Sequence, residues 1–226
     1  MTGAAMGEGD LVIRVDGELP LADAPLAAVG AVCDRAEDGT GEGVVIVYVS
    51  GTPEEAWTDG ATVALVSRWE RALRRLERLP AVTVAVVEGD CGGLALDALL
   101  ATDFRIATPS ARLRVSTQSG ATWPGMSLYR LARQSASTAV RRALLFGTPL
   151  DASTALAADL VDEVTDDVAG ALAATAGRST GIPGAELAIR RQLSLDARTS
   201  GFEDSLGTHL AACDRALRRT TSEVPS

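Results

Sequence analysis

The run Leu79-Pro-Ala-Val-Thr-Val-Ala-Val-Val-Glu-Gly-Asp-Cys-Gly-Gly-Leu-Ala-Leu-Asp-Ala-Leu-Leu-Ala-Thr-Asp-Phe-Arg-Ile-Ala107 decides how this chain folds. From Ala81 to Val87 it is almost wholly apolar and rich in β-branched residues. Such a strand is buried on both faces, as strands of parallel sheets are. Pro80 stops the helix before it. Gly89 to Gly93 reads as a tight turn, Leu94 to Ala101 as a short apolar helix, and Phe104 to Ala107 as a second strand. Asp97 is the one carboxylate inside that helix.

The pattern continues on either side. Val44 to Val49 is another continuous β-branched run, and Leu11 to Asp16 alternates before Gly17. Helical spacing covers Leu26 to Glu37, with Asp23 as its expected N-cap, and Ala61 to Leu79. Downstream, Arg112 to Val115 and Leu160 to Val164 read as strands, and Arg130 to Phe146 and Ser153 to Asp159 as helices. Further helices are expected at 166–177, 183–195 and 201–219. Strands alternating with helices imply an α/β layered fold. The expected division is a core over 1–165 and a helical assembly segment over 166–226.

With 226 residues, 46% of them apolar, the chain can bury an ordinary single-domain core. It carries 21 basic against 30 acidic residues, a net charge of −9, which argues against nucleic acid or an anionic membrane as partner. Every basic residue is Arg, so a Walker A loop, a kinase-type Lys and a Schiff-base enzyme are excluded. No stretch approaches the length of a membrane span. The small, acidic start, Met1 to Asp10, does not read as a signal peptide. The three cysteines, Cys33, Cys91 and Cys213, form no CxxC pair, so neither a disulfide framework nor a zinc site is expected. A reducing cytoplasm is the expected location.

The glycine turn has three readings. It binds a dinucleotide, which its non-GxGxxG spacing disfavours. It merely permits a sharp turn. Or it presents N–H groups to an oxygen that gains negative charge. Cys91 is either a nucleophile at a helix start or, with no His nearby in sequence, a small core filler. The single histidine, His209, lies on an amphipathic tail helix and makes a poor catalytic base. Asp97 is either a buried acid with a purpose or a partly exposed residue on the outer helix face.

Taken in order, these segments resemble the crotonase (enoyl-CoA hydratase/isomerase) superfamily. The Leu79–Ala107 run matches its Pro-led strand, glycine turn, helix, Asp and short strand. Val44 to Gly51 with Trp57-Thr-Asp-Gly-Ala61, Ala111-Arg-Leu-Arg with Trp123-Pro-Gly125, Ala143 to Ala155, and Ala158 to Val164 fall in the same order. The likeness covers roughly residues 10–215. It implies a spiral of ββα units with a C-terminal helical tail. It also implies two backbone N–H donors, those of Thr58 and Leu94, around an acyl-CoA thioester oxygen. Gly92 and Gly93 would allow close approach, and Thr58, Asp59, Gly60 and Ala61 would line the substrate path. No metal and no separate cofactor are implied, since coenzyme A arrives as part of the substrate.

Hydratases of this superfamily use two glutamates. Here Asp97 falls at the first and Thr117 at the second, so a two-carboxylate hydration is not expected; Asp97 would move the proton while Thr117 or Gln118 orients a hydroxyl or water. The early CoA loop is reduced to Glu18-Leu-Pro20. The branch this chain resembles most is the small hydratase homologues of the 3,5-dihydroxyphenylacetyl-CoA pathway, which supplies dihydroxyphenylglycine to glycopeptide antibiotics. That resemblance implies a polyketide-derived acyl-CoA, a type III polyketide synthase as partner, and a homo-oligomer, trimeric or hexameric. The alternative is a non-catalytic accessory subunit that binds the synthase or its CoA product.

Overall fold

The computed structural model describes residues 11–39, 43–54, 57–58 and 60–222. Its centre is a run of parallel strands in the order β1 (Leu11–Asp16), β2 (Val44–Gly51), β3 (Val82–Cys91), β4 (Phe104–Ala107) and β9 (Glu163–Val164). β5 (Arg112–Leu113) pairs with the far end of β3, and β8 (Leu150–Asp151) runs antiparallel to β5. β6 (Thr117–Gln118) and β7 (Ala121–Thr122) form a separate small hairpin. The helices are α1 (Asp23–Asp38), α2 (Val63–Leu76), α3 (Gly93–Leu99), α4 (Met126–Gln134), α5 (Thr138–Phe146), α6 (Ala152–Ala157), α7 (Val168–Ser179), α8 (Gly184–Ala197) and α9 (Phe202–Ser222). Among the described residues, no helix is long and apolar enough to cross a membrane.

Strand periodicity sorts the apolar runs onto two faces. Val45, Val47, Val49, Ala85 and Val87 join a large core with Val29, Trp69, Leu73 and the apolar residues of α3. Val44, Ile46, Val82, Val84 and Val86 face the other way and are covered by Ala171 and Leu172 of α7. Both runs are therefore buried on both faces, as their composition predicts. Arg191 of α8 fastens the tail to this sheet. Its guanidinium donates to Asp103 Oδ1 at 2.6 Å, to Leu79 O at 2.6 Å and to Ala81 O at 2.9 Å. Asp103 in turn accepts from Thr83 N at 2.9 Å.

Several expected boundaries move. The helix expected from Arg130 to Phe146 is two helices, because Ser137 caps α5 by accepting from Val140 N at 3.2 Å and so ends any continuation from α4. Asp23 is the first helical residue of α1 rather than its cap; its carboxylate instead takes Arg68 Nη1 at 2.7 Å. The turn expected over Gly89–Gly93 is narrower, since β3 stays extended through Cys91. The strands expected over 112–115 and 160–164 shorten to Arg112–Leu113 and Glu163–Val164.

β3 bulges on the way. Between Val87 and Cys91 it advances four residues while β2 advances two, from Val49 to Gly51. Gly89, at φ +68, takes the left-handed conformation that the bulge requires. The bulge turns β3 away from β4 and onto β5.

The carboxyl ends of β1, β2 and β3 then meet. Gly17 N donates to Ser50 O at 2.7 Å, and Gly92 N to Gly51 O at 2.8 Å. A Cβ on Gly17 would lie 2.3 Å from Gly92 O and 2.4 Å from Gly51 O, so only glycine fits. We expect Gly17→Ala to lower the unfolding free energy by about 3 kcal/mol, the upper range for overpacking, read from the urea midpoint. A variant within 0.5 kcal/mol of the parent would show that this junction tolerates separation (roughly the scatter of harmless substitutions).

Candidate active site

Parallel neighbours release their following loops from the same edge of a sheet, which is where ligands of such sheets bind. β2 releases the loop that carries Thr58, and β3 releases the turn Gly92-Gly93. The two touch at their bases. A Cβ on Gly92 would lie 2.5 Å from Thr52 Oγ1, and one on Gly93 would lie 3.0 Å from Pro53 Cγ. Gly93 also has φ +52.

The hydrogen bonds of this turn leave one amide over. Gly93 N donates to Ser116 Oγ at 2.9 Å, while Ala95 N and Leu96 N both donate to Gly92 O, at 3.1 and 3.3 Å. Leu94 N donates to no described residue, although the Leu94 side chain is packed in the core. Thr58 N likewise has no partner among the described residues, and Thr58 O accepts from Ala61 N at 2.9 Å to close a turn around exposed Gly60. Asp59 lies outside the described residues. Thr62 then caps α2 by accepting from Leu65 N at 3.2 Å. The loop is braced from the far side by Trp57, whose ring meets Trp123 edge-on at 5.4 Å between centroids.

Asp97 lies one helical turn after Leu94, on the same side of α3. Its residue surface is partly open, yet its carboxyl is densely surrounded by protein. Both observations hold if the carboxyl lies at the floor of a depression. Trp69 Nε1 donates to Asp97 Oδ2 at 3.0 Å, and Ser127 lies beside the carboxyl. Burial pushes the Asp97 carboxyl above the ordinary carboxylate range, and the Trp69 bond, Arg130 and Ser127 only partly offset it. Asp97 keeps a part of both readings: some of its surface is open, and its carboxyl is held by Trp69.

Thr117 is placed differently. It stands exposed on the β6–β7 hairpin, and its methyl group faces Gly147 at the end of α5. It makes no hydrogen bond to Asp97 or to any other described side chain. The residues missed from the sequence are those that surround Asp97: Trp69, Glu70, Ser127 and Arg130. Trp69 and Glu70 are visible as an apolar–acid pair on α2, but nothing in their spacing announces that they meet Asp97.

A family model described as enoyl-CoA hydratase/isomerase matches residues 54–177. The chain belongs to the enoyl-CoA hydratase/isomerase family. An Amycolatopsis orientalis protein called enoyl-CoA-hydratase is 54% identical over 211 residues, spanning 93% of this chain and 97% of that protein. The solved structure of an enoyl-CoA hydratase/isomerase family protein from Silicibacter pomeroyi superposes with a TM-score of 0.76 over 100% of both chains, at 21% identity. A Pseudomonas aeruginosa structure superposes with a TM-score of 0.73 at 25% identity, covering 88% of this chain and 93% of that one. The crotonase fold expected from the sequence is thus present, parallel sheet and C-terminal helices included.

Within this enoyl-CoA hydratase/isomerase framework Cys91 is a core filler. It is fully buried, and burial first, then Asp97 and Asp90, push its thiol well above the usual range, so no thiolate forms near neutral pH. Cys33 is buried too, and its thiol is pushed up to about 11. Cys213 and His209 are exposed on α9. Among the described residues no group of His, Cys, Asp and Glu is arranged to hold a metal ion.

Two outcomes follow from these surroundings. A thiol-specific reagent should label one of the three cysteines rapidly in the native protein and all three in denaturant; rapid native labelling of Cys91 would contradict its burial. The second concerns pH. An acid raised in the folded state contributes stability that is full below the ordinary carboxylate range and is lost as pH rises through the folded value. The Asp97→Asn variant should therefore gain on the parent in urea unfolding as pH rises above the ordinary carboxylate range. A constant difference over that rise would place Asp97 in an ordinary environment.

Proposed function

We propose that this protein acts on an acyl-CoA thioester whose carbonyl oxygen is held by the backbone N–H groups of Thr58 and Leu94. The observation that carries this reading is the Leu94 amide. It is left without a partner among the described residues at the glycine turn, beside the base of the Thr58 loop and one helical turn from Asp97. As the α-carbon loses a proton, charge moves onto the thioester oxygen, and each preorganised donor there is worth about 2.7–4 kcal/mol. Asp97 moves the proton. As the carboxylate it takes the α-proton, and the acid so formed delivers that proton to the leaving hydroxyl, which departs as water, or to another carbon in an isomerisation; this suits dehydration or isomerisation better than hydration by paired carboxylates. Gly92 and Gly93 let the Thr52–Pro53 base of the loop close against the turn, and Gly60 and Ala61 flank the thioester. Thr117 or Gln118 orients the hydroxyl or water in this single-acid chemistry. Coenzyme A enters with the substrate, and no further cofactor is required.

The substrate in this proposal is a polyketide-derived acyl-CoA, turned over beside a type III polyketide synthase on the way to 3,5-dihydroxyphenylacetyl-CoA. The support is the overall resemblance of the sequence to the small hydratase homologues of that pathway. A homo-oligomer is proposed with it, because α9 leaves Phe202 and Leu210 exposed. One observation favours a non-catalytic accessory role instead: exposed Thr117 supplies no second carboxylate.

The experiment is acyl-CoA turnover by the synthase with and without this protein, using parent, Leu94→Pro and Asp97→Asn chains checked for folding by circular dichroism. Proline is tolerated in a first helical turn, so Leu94→Pro removes the donor without breaking α3. Each substitution should lower the turnover contributed by this protein about 100-fold. Full stimulation by both variants, with the synthase still captured in a pull-down, would establish the accessory role and refute the chemistry.

A further inference from the structure

Position 117 lacks a carboxylate, yet a second acid stands beside Asp97 on another element. Glu70 of α2 directly follows Trp69, the residue that donates to Asp97. Glu70 takes Arg130 of α4, with Oε2 2.9 Å from Nη1. Arg130 Nε donates to Glu77 Oε1 at 2.8 Å, and Glu77 Oε2 also holds Arg74 at 2.8 Å. The Arg130 side chain is only 8% exposed, so its guanidinium is enclosed by these partners. Asp97 has no ion pair among the described residues.

The titratable and charged groups facing Asp97 are Glu70 from α2, Arg130 from α4 and Cys91 from β3, with Trp69 and Ser127 as neutral donors. Glu77 faces Glu70 and Arg130 from the end of α2. The charges do not balance. Glu70, Glu77 and Asp97 are three carboxyls, while Arg74 and Arg130 are two guanidiniums. One carboxyl is left over, and it is the one held only by neutral donors.

We infer that Glu70 is a positioning residue that keeps the Arg130 guanidinium to itself, so that Asp97 has no ion-paired cation and can hold the proton it moves. This role rests on the proposed use of Asp97 as the site's acid. Burial raises both Glu70 and Asp97; the Asp97 charge adds to the rise at Glu70, and the Arg130 charge opposes the rise at both. Removing the Glu70 charge releases Arg130 toward Asp97 and lets Asp97 ionise more readily.

Trp69 reports the state of Asp97 directly, because its indole N–H is bonded to the carboxyl. The chain has three tryptophans, so its indole 15N–1H spectrum holds three signals, assigned from the Trp57→Phe and Trp123→Phe variants. In the parent the Trp69 signal should titrate with a midpoint above the ordinary carboxylate range. Asp97→Asn should abolish that titration. Glu70→Gln should lower the midpoint by about one pH unit or more, while Glu70→Asp should stay near the parent. An unchanged midpoint in Glu70→Gln, or a parent Trp69 signal that titrates in the ordinary range or not at all, would overturn the inference. Because the spectrum needs no substrate, its failure is separable from failure of the thioester chemistry, which the turnover measurement reads.

Discussion

The constraint on which this molecule depends is the meeting of three backbones, at Gly17, Gly51 and Gly92, where β1, β2 and β3 end together. There is no room for a Cβ on Gly17 between the carbonyls of Gly51 and Gly92. Everything that makes a site possible follows from that approach. It sets the base of the Thr58 loop against the turn that begins α3. It also fixes the Gly92 carbonyl, which receives the Ala95 and Leu96 amides and leaves Leu94 N–H without a partner among the described residues. Backbone donors are suited to an oxygen that becomes charged, because they are held in place before the charge appears.

The short helix α3 is held at both ends by unlike devices. At its start the glycine turn is pinned by Ser116 and Gly51. At its end the buried Arg105 guanidinium donates to Leu99 O, Leu100 O and Thr102 O at 3.0, 3.1 and 3.2 Å, and to Leu160 O at 3.2 Å. Carbonyls at a helix C-terminus are partners for a cation. Burial lowers the Arg105 guanidinium to about 10, so it remains charged near neutral pH. Between these anchors the position of Asp97 is set, and α2 and α4 enclose it from the sides.

Much of this architecture is legible in the chain. Unbroken β-branched runs at Val44–Val49 and Ala81–Val87 require two covered faces, and both faces are covered. The order of glycine turn, apolar helix and short strand identifies the spiral and points to Leu94 and Asp97. Boundaries are read less well where a side chain competes locally with the helix, as Ser137 does between α4 and α5. Counting along a motif nominates Thr117, but its exposed place on the β6–β7 hairpin is read only from the fold.

What the sequence determined by itself is the set of elements, their order and the lone acid in α3, because periodicity and turn chemistry act over a few residues. What only the tertiary structure decided is the company that acid keeps. Trp69 and Arg130 lie 28 residues before it and 33 after it, on helices whose own spacing says nothing about each other. Which carboxyl receives Arg130, and which is left with neutral donors, is a matter of distance and burial in three dimensions, and no pattern along the chain encodes it.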